Sequence, residues 1–304
     1  MLVSTNLFYQ RINGQLGDLN ERAQSLQTQL STGKRLQAPS DDPSAYRRVQ
    51  RLNQAGADDK AWSANVDLAG GILDQADTTL GNVNTVFQRA LELTLQGNAG
   101  TLSDGDRKVI ATQLRGVLDD LFTSANARDA RGQPLFGAAT GDTAVTRDAS
   151  GRVSFTGTGD PAAIPIADGI SLRVSESAEK IFGNLPDGNG GTTDIFAAIS
   201  AYADALDSGA AVPQTAAKTI DILKAAGDQI SAVRGSIGAR AARIELEKGR
   251  LDDVAVSRQN DLDSLEGTDV QGTILQLQKT MTILQATQAS VAKLTSLNLF
   301  DYIR

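Results

Sequence analysis

"LSTGKRLQAPSDDPSAYRR" runs from Leu30 to Arg48 and decides how the chain is built. Its Gly33-Lys34 pair invites comparison with a phosphate loop. That motif needs a second glycine five residues earlier and Ser or Thr directly after the lysine. Position 28 is Thr28 and Lys34 is followed by Arg35, so both requirements fail. Read as punctuation, the stretch is coherent. Ser31-Thr32-Gly33 suits a helix end, with Gly33 free to take a positive φ. Asp42 suits an N-cap and Pro43 the first helical position. Between them Ala38-Pro39 makes a short extended linker. The stretch is a joint between two helices.

Outward from the joint, helices dominate. The seven prolines leave 44–133 and 214–304 uninterrupted, and eleven of the 29 glycines fall between Gly132 and Gly191. Proline breaks helix interiors and glycine weakens them, so two helical arms flank a turn-rich middle. In the first arm Tyr9, Ile12, Leu16, Leu19, Ala23, Leu26 and Leu30 step by three and four, which predicts a helix over 5–31 with one apolar stripe. Trp62, Val66, Ala69, Leu73, Ala76, Leu80, Val83, Phe87, Ala90 and Thr94 predict a second over 43–97, weakened locally at Gly70-Gly71. A third fits 104–129, with Val109, Leu114, Val117, Leu118 and Leu121 inward.

The middle changes period. "GRVSFTG" (151–157) and "GISLRV" (169–174) alternate like short strands. "DIFAAISAYADAL" (194–206) is helical again. The last arm carries Ile230, Val233, Ile237, Ala241, Ile244, Lys248, Leu251 and Val254. After "EGTD" (266–269) come Val270, Ile274, Leu277, Met281, Leu284, Gln288 and Val291, a final helix over 270–296.

The expected fold is mainly α: an elongated antiparallel helical rod or coiled coil formed by the two arms, with a small β-rich insert. Three domains are expected: 1–42 with 266–304, 43–131 with 194–265, and the insert at 132–193. An intramolecular helical bundle would satisfy the periodicity. Yet the outermost arms have little else in the chain to cover them, which points to partner helices. Ile12, Leu16, Leu19, Leu26 and Leu30, with Ile274, Leu277, Met281, Leu284 and Val291, are the candidate coiled-coil and inter-subunit residues.

Composition excludes several chemistries. There is no Cys and no His, so disulfides, thiolate or imidazole catalysis and ordinary zinc sites are out. A net charge of −7 argues against a broad nucleic-acid footprint. No apolar run of about 18 residues offers a membrane span. The start lacks a basic n-region and an unbroken apolar h-region, so no cleaved signal peptide is expected. "GTGDPA" (157–162) is followed by Pro165, which prevents the helix a dinucleotide fingerprint needs. "DGNGGTTD" (187–194) has Gly191 and Ala198 where a calcium loop needs oxygen ligands. The Asp pairs 41–42, 58–59, 119–120 and 252–253 are adjacent residues, and neighbours on a helix point about 100° apart. "GARAARIELEKGR" (238–250) is a mixed-charge helix face. No enzyme activity and no cofactor are expected. A carboxylate-dependent hydrolase or binding domain in the insert is the rival from another class.

The joint resembles the segment after the first helix in flagellins and flagellar hook-associated proteins. There a Leu-Ser-Ser/Thr-Gly-x-Arg run precedes Ser-x-x-Asp-Asp, which Leu30, Ser31, Thr32, Gly33, Arg35, Ser40, Asp41 and Asp42 match. Of these, Ser31, Thr32, Gly33, Arg35, Asp41 and Asp42, with Pro43, are the candidate joint residues. "LNERAQSLQTQLSTG" (19–33) and the C-terminal arm are also similar. Within the family, "PSDDPSAYRR" and the ending "SLNLFDYIR", with Leu299, Phe300 and Tyr302, resemble hook–filament junction members more than filament subunits, which remain the alternative. The resemblance implies export through the flagellar type III channel and an extracellular place in the flagellum. It implies a chaperone on the C-terminal region and terminal helices that order on assembly. Implied partners are further copies in a ring or tube, the first hook-associated protein and flagellin. Lys34, Arg35, Arg47 and Arg48 against Asp41 and Asp42 suggest contacts between neighbouring subunits.

Overall fold

Helix ends fall largely where caps and breakers put them. The computed structural model describes residues 2–140, 143–157, 159–210 and 212–301, apart from the side chains of 2–6, 8, 9 and 294–301. Among the described residues the order is α1 (Leu2–Thr32), α2 (Pro43–Gly97), α3 (Asp104–Ala125), β1 (Val145–Arg147), β2 (Val153–Phe155), β3 (Ala163–Ala167), β4 (Ile170–Arg173), α4 (Ala178–Phe182), β5 (Leu185–Pro186), β6 (Thr192–Thr193), α5 (Ile195–Ser208), α6 (Val212–Glu266) and α7 (Val270–Asp301). Helix α3 starts on Ser103, whose hydroxyl accepts from Asp106 N at 3.2 Å. Helix α5 starts on Asp194, whose carboxylate accepts from Ala197 N at 2.8 Å, and ends before Gly209 at φ 69°. The sequence reading starts the last arm's stripe only at Ile230, but α6 begins at Val212: Pro213 sits in the first turn, where no N–H is needed.

The chain divides into two compact units, 59–252 and 1–58 with 253–304. The cuts lie inside α2 and α6, not at the joints. In 59–252, Lys248 reaches Asp67 at 3.0 Å and Arg234 grips Asp77 at 2.8 and 3.0 Å. Rising numbers on one helix meet falling numbers on the other, so α2 and α6 are antiparallel here. Between those pairs Ile244 packs over Gly70, its Cγ2 3.5 Å from where a Cβ would stand, an ordinary contact distance. The helix runs unbroken through Gly70-Gly71. The stripe from Val66 to Thr94 is buried, and so are Ile230, Val233, Ile237, Ile244 and Leu251. On α3, Ile110, Leu114, Val117 and Leu121 face inward. Val109 was expected inside but is 57% exposed, because one residue along the helix turns a side chain by about 100°.

The middle segment holds three separate antiparallel ribbons: β1–β2, β3–β4 with a bulge between Pro165 and Ala167, and β5–β6. Their apolar residues, with Leu135, Phe136, Ile181 and Phe182, share one core with α2, α3, α5 and α6. The expected separate domain at 132–193 is therefore part of the unit 59–252. The few aromatic rings concentrate here: Phe182 lies 6.4 Å from Phe136 and 5.7 Å from Phe196, between centroids. The Asn126 side chain holds β1 to the end of α3, accepting from Ala144 N and Val145 N, both at 3.1 Å.

Gly97 closes α2 against a buried tyrosine. Tyr202 is fully buried and donates its hydroxyl to Thr94 O at 3.0 Å; desolvation pushes its pKa up to about 12. A Cβ at position 97 would stand 2.7 Å from that hydroxyl oxygen. Gly97→Ala is expected to cost about 1–3 kcal/mol in denaturant unfolding through overpacking. Wild-type stability in this variant would show that Tyr202 can move aside.

Candidate functional site

The unit made of 1–58 and 253–304 holds the joint and the terminal helices. Gly33 takes φ 69° and its N–H bonds Gln29 O at 2.9 Å, stopping α1 as a left-handed cap. Ser31 and Thr32 turn their hydroxyls back to Thr28 O, at 3.0 and 2.8 Å. Asp42 caps α2: its carboxylate accepts from Ser44 N and Ala45 N, each at 3.0 Å, and Pro43 is the first helical residue. Asp41 folds the linker by accepting from Gln37 N and Ala38 N, each at 2.9 Å. Both carboxyls titrate below the ordinary aspartate range. For Asp41 the main cause is the Ala38 N–H and then that of Gln37; for Asp42 it is the Ala45 N–H and then the Ser44 hydroxyl.

The joint also clasps the turn between α6 and α7. Arg35 N donates to Glu266 O at 2.6 Å and Thr268 N to Gly33 O at 3.1 Å. The Arg35 guanidinium reaches Leu265 O at 3.0 Å, and Lys34 pairs with Glu266 at 2.6 Å. Below, Leu36, Ala45 and Val49 pack on Leu262 and Leu265. So Asp41, Asp42, Lys34 and Arg35, expected to contact neighbouring subunits, bond within their own chain. Leu36, Glu266 and Thr268 were absent from the sequence reading. Glu266 and Thr268 lie in the "EGTD" break, which signalled a turn without naming its partner.

Gly267 makes the clasp possible. A Cβ there would overlap the carbonyl oxygen of Asp263, which accepts the Gly267 N–H at 2.8 Å. Gly267→Ala is expected to cost about 1–3 kcal/mol, and hydrogen exchange at Arg35 N and Thr268 N should accelerate. Unchanged exchange at both amides would refute the clasp's dependence on this glycine.

From the clasp α1 and α7 pack along each other. The end of α1 meets the start of α7 through an antiparallel bridge, Lys34 to Gly267, so the helices are antiparallel. On α1, Leu26 is buried, and Ile12, Leu16, Leu19 and Leu30 are half-buried. On α7 the covered face is Thr273, Leu277, Thr280, Leu284, Thr287 and Val291. Ile274 and Met281 lie outside it, 41% and 47% exposed. The seam is thus rotated from the one expected, with a threonine at every seventh position. Thr280 and Thr287 bond back to Gln276 O and Ile283 O, each at 2.8 Å. Their hydroxyls are satisfied within α7. Tyr302 and the side chains of Tyr9, Leu299 and Phe300 lie outside the described residues. Among the described residues no cluster of acidic side chains is arranged to hold a metal ion.

Residues 3–140 match the bacterial flagellin N-terminal helical region. Over its full length the chain is similar to Flagellar hook-associated protein 3 of Escherichia coli, 28% identical over 318 residues covering 99% of each chain. It is also 25% identical to Flagellin of Listeria monocytogenes over 303 residues, covering 98% of this chain and 96% of that one. The fold is shared with the flagellar junction protein of Legionella pneumophila at a TM-score of 0.58 and 14% identity, covering 72% of this chain and 100% of the other.

Proposed function

We propose that this chain is a structural subunit of the bacterial flagellum that joins hook to filament by packing its terminal helices with those of neighbouring subunits. The observation that carries the reading is end-to-end similarity to a hook-associated protein 3, together with an α1–α7 pair that leaves apolar side chains outside. Val270, Ile274 and Met281 are about half exposed on α7. Burying such surface between copies would order the helices by mass action. The joint sets the angle at which α1 leaves α2. The role is mechanical and involves no catalytic step or cofactor. Proposed partners are further copies of the chain, the first hook-associated protein, flagellin and a chaperone for the C-terminal region. Export by the flagellar type III channel and an extracellular location belong to the same proposal.

Immunogold labelling of intact flagella tests it. A thin band at the hook–filament boundary is expected, and deletion of the gene should leave hooks without filaments. Label along the whole filament would instead establish a filament subunit, the reading favoured by the similarity to flagellin.

A further inference from the structure

We infer that Arg47, Arg48 and Arg51 on α2 dock against Asp253 and Asp261 on α6 of a second copy of this chain. The inference rests on the proposed self-assembly and names the surface it uses. The three arginines are exposed. By helical geometry they span about 100° of arc, turned away from Ala45 and Val49, which pack inward. Between Pro43 and Asp58 the only acid is Asp58. From Asp253 to Glu266 there are four carboxylates and one arginine. Asp253 and Asp261 are exposed, about 80° apart around α6 and about 12 Å apart along it.

Several ionic side chains around these groups are used within the chain. Lys34 takes Glu266, and Asp41 and Asp42 take backbone N–H groups. Arg47, Arg48, Arg51, Asp253 and Asp261 have no ion-pair partner among the described residues. An exposed charge alone contributes little, but opposed sets across an interface steer encounter and fix register. The occupant is a second copy because one chain carries both signs. A nucleic acid or anionic membrane drawn to the arginines would be repelled by the neighbouring carboxylates and a net charge of −7.

The test is sedimentation equilibrium of the full chain at about 50 mM and about 500 mM NaCl, a range over which exposed charges become screened. Self-association at low salt should weaken at least about tenfold at high salt. R48E/R51E and D253K/D261K should each lose it while keeping the wild-type circular dichroism. Mixing the two reversed chains should restore association between them. The neutral pair R48Q/R51Q should fall between wild type and R48E/R51E. Wild-type association in both reversed variants, salt-independent association, or a wild-type chain that stays monomeric would each overturn the inference. These outcomes are separate from the labelling experiment, since a junction subunit could associate through apolar contacts alone.

Discussion

Leu26→Asp is expected to open the α1–α7 pair and abolish motility while export continues. Leu26 is the buried member of the α1 stripe, at 7% exposure, with half-buried neighbours on both sides. Truncating a buried leucine costs about 2–5 kcal/mol, and a carboxylate in its place adds desolvation. The opposing face offers no compensating charge: its polar members are threonines, and the Thr280 and Thr287 hydroxyls already bond to α7 carbonyls. Hydrogen exchange should show protection lost along α1 and α7 and kept in 59–252. Swimming motility reads the same change in the cell, since every subunit of an assembly would carry the defect. Leu284→Asp, on the half-buried face of α7, should act in the same direction with a smaller loss. Normal swimming by Leu26→Asp would remove the terminal pair from the proposed role.

Arg240→Ala is expected to destabilise the unit 59–252 by about 3–5 kcal/mol, the range for a buried ion pair stripped of one partner. Glu176 has 4% side-chain exposure and pairs with Arg240 and, at 2.8 Å, with Lys180. Arg240 also donates to Arg173 O at 3.2 Å and Ser175 O at 3.3 Å. It therefore ties the segment after β4 to α6. Burial works against ionisation of Glu176, but the bonds from Lys180 and Arg240 outweigh it and hold its pKa below 4.5. A carboxyl depressed on folding stabilises fully above its unfolded pKa. That contribution fades as pH falls through the folded value. Wild-type stability should therefore drop below pH 4.5, and Glu176→Gln should flatten this part of the profile. In Arg240→Ala, denaturant midpoints should fall at neutral pH. Glu176→Leu combined with Arg240→Leu should recover much of the loss, because no charge is then left buried. An Arg240→Ala midpoint equal to wild type would show that Lys180 alone suffices.

Legibility followed length. Helix α2 was readable to its ends because a three-and-four stripe from Trp62 to Thr94 lies between an aspartate-proline start and a glycine stop. The strands run from two to five residues; alternation in 151–157 and 169–174 marked β2 and β4, but their partner strands carried no signal that stood out. Two of the ribbons also contain a proline, Pro165 and Pro186, a residue that weakens any strand signal. The Glu176–Arg240 pair was not legible, because its partners are 64 residues apart and neither position looks unusual alone. On α7 the leucines 277 and 284 fit two overlapping stripes. Hydrophobicity favoured the one with Ile274 and Met281, whereas the clasp at Gly33 and Thr268 sets the start of α7 and the threonine side turns inward. The sevenfold spacing of Thr273, Thr280 and Thr287 was visible, but threonine is discounted when apolar residues are counted. The joint was readable as punctuation. Its internal bonding was not, since charges of both signs look the same whether they face a neighbour or their own backbone.

The division of the chain also orders events in time. Residues 59–252 form one uninterrupted run, so that unit has all its parts before residues 253–304 are needed. The other unit is assembled from both ends, and Arg35 finds Leu265 across a separation of 230 residues. Contacts this distant in sequence are slow to form and cannot begin until the late partner is present. The clasp at Gly267 is therefore expected to close late, and pulse-labelled hydrogen exchange during refolding should protect Arg35 N and Thr268 N after the amides of 59–252.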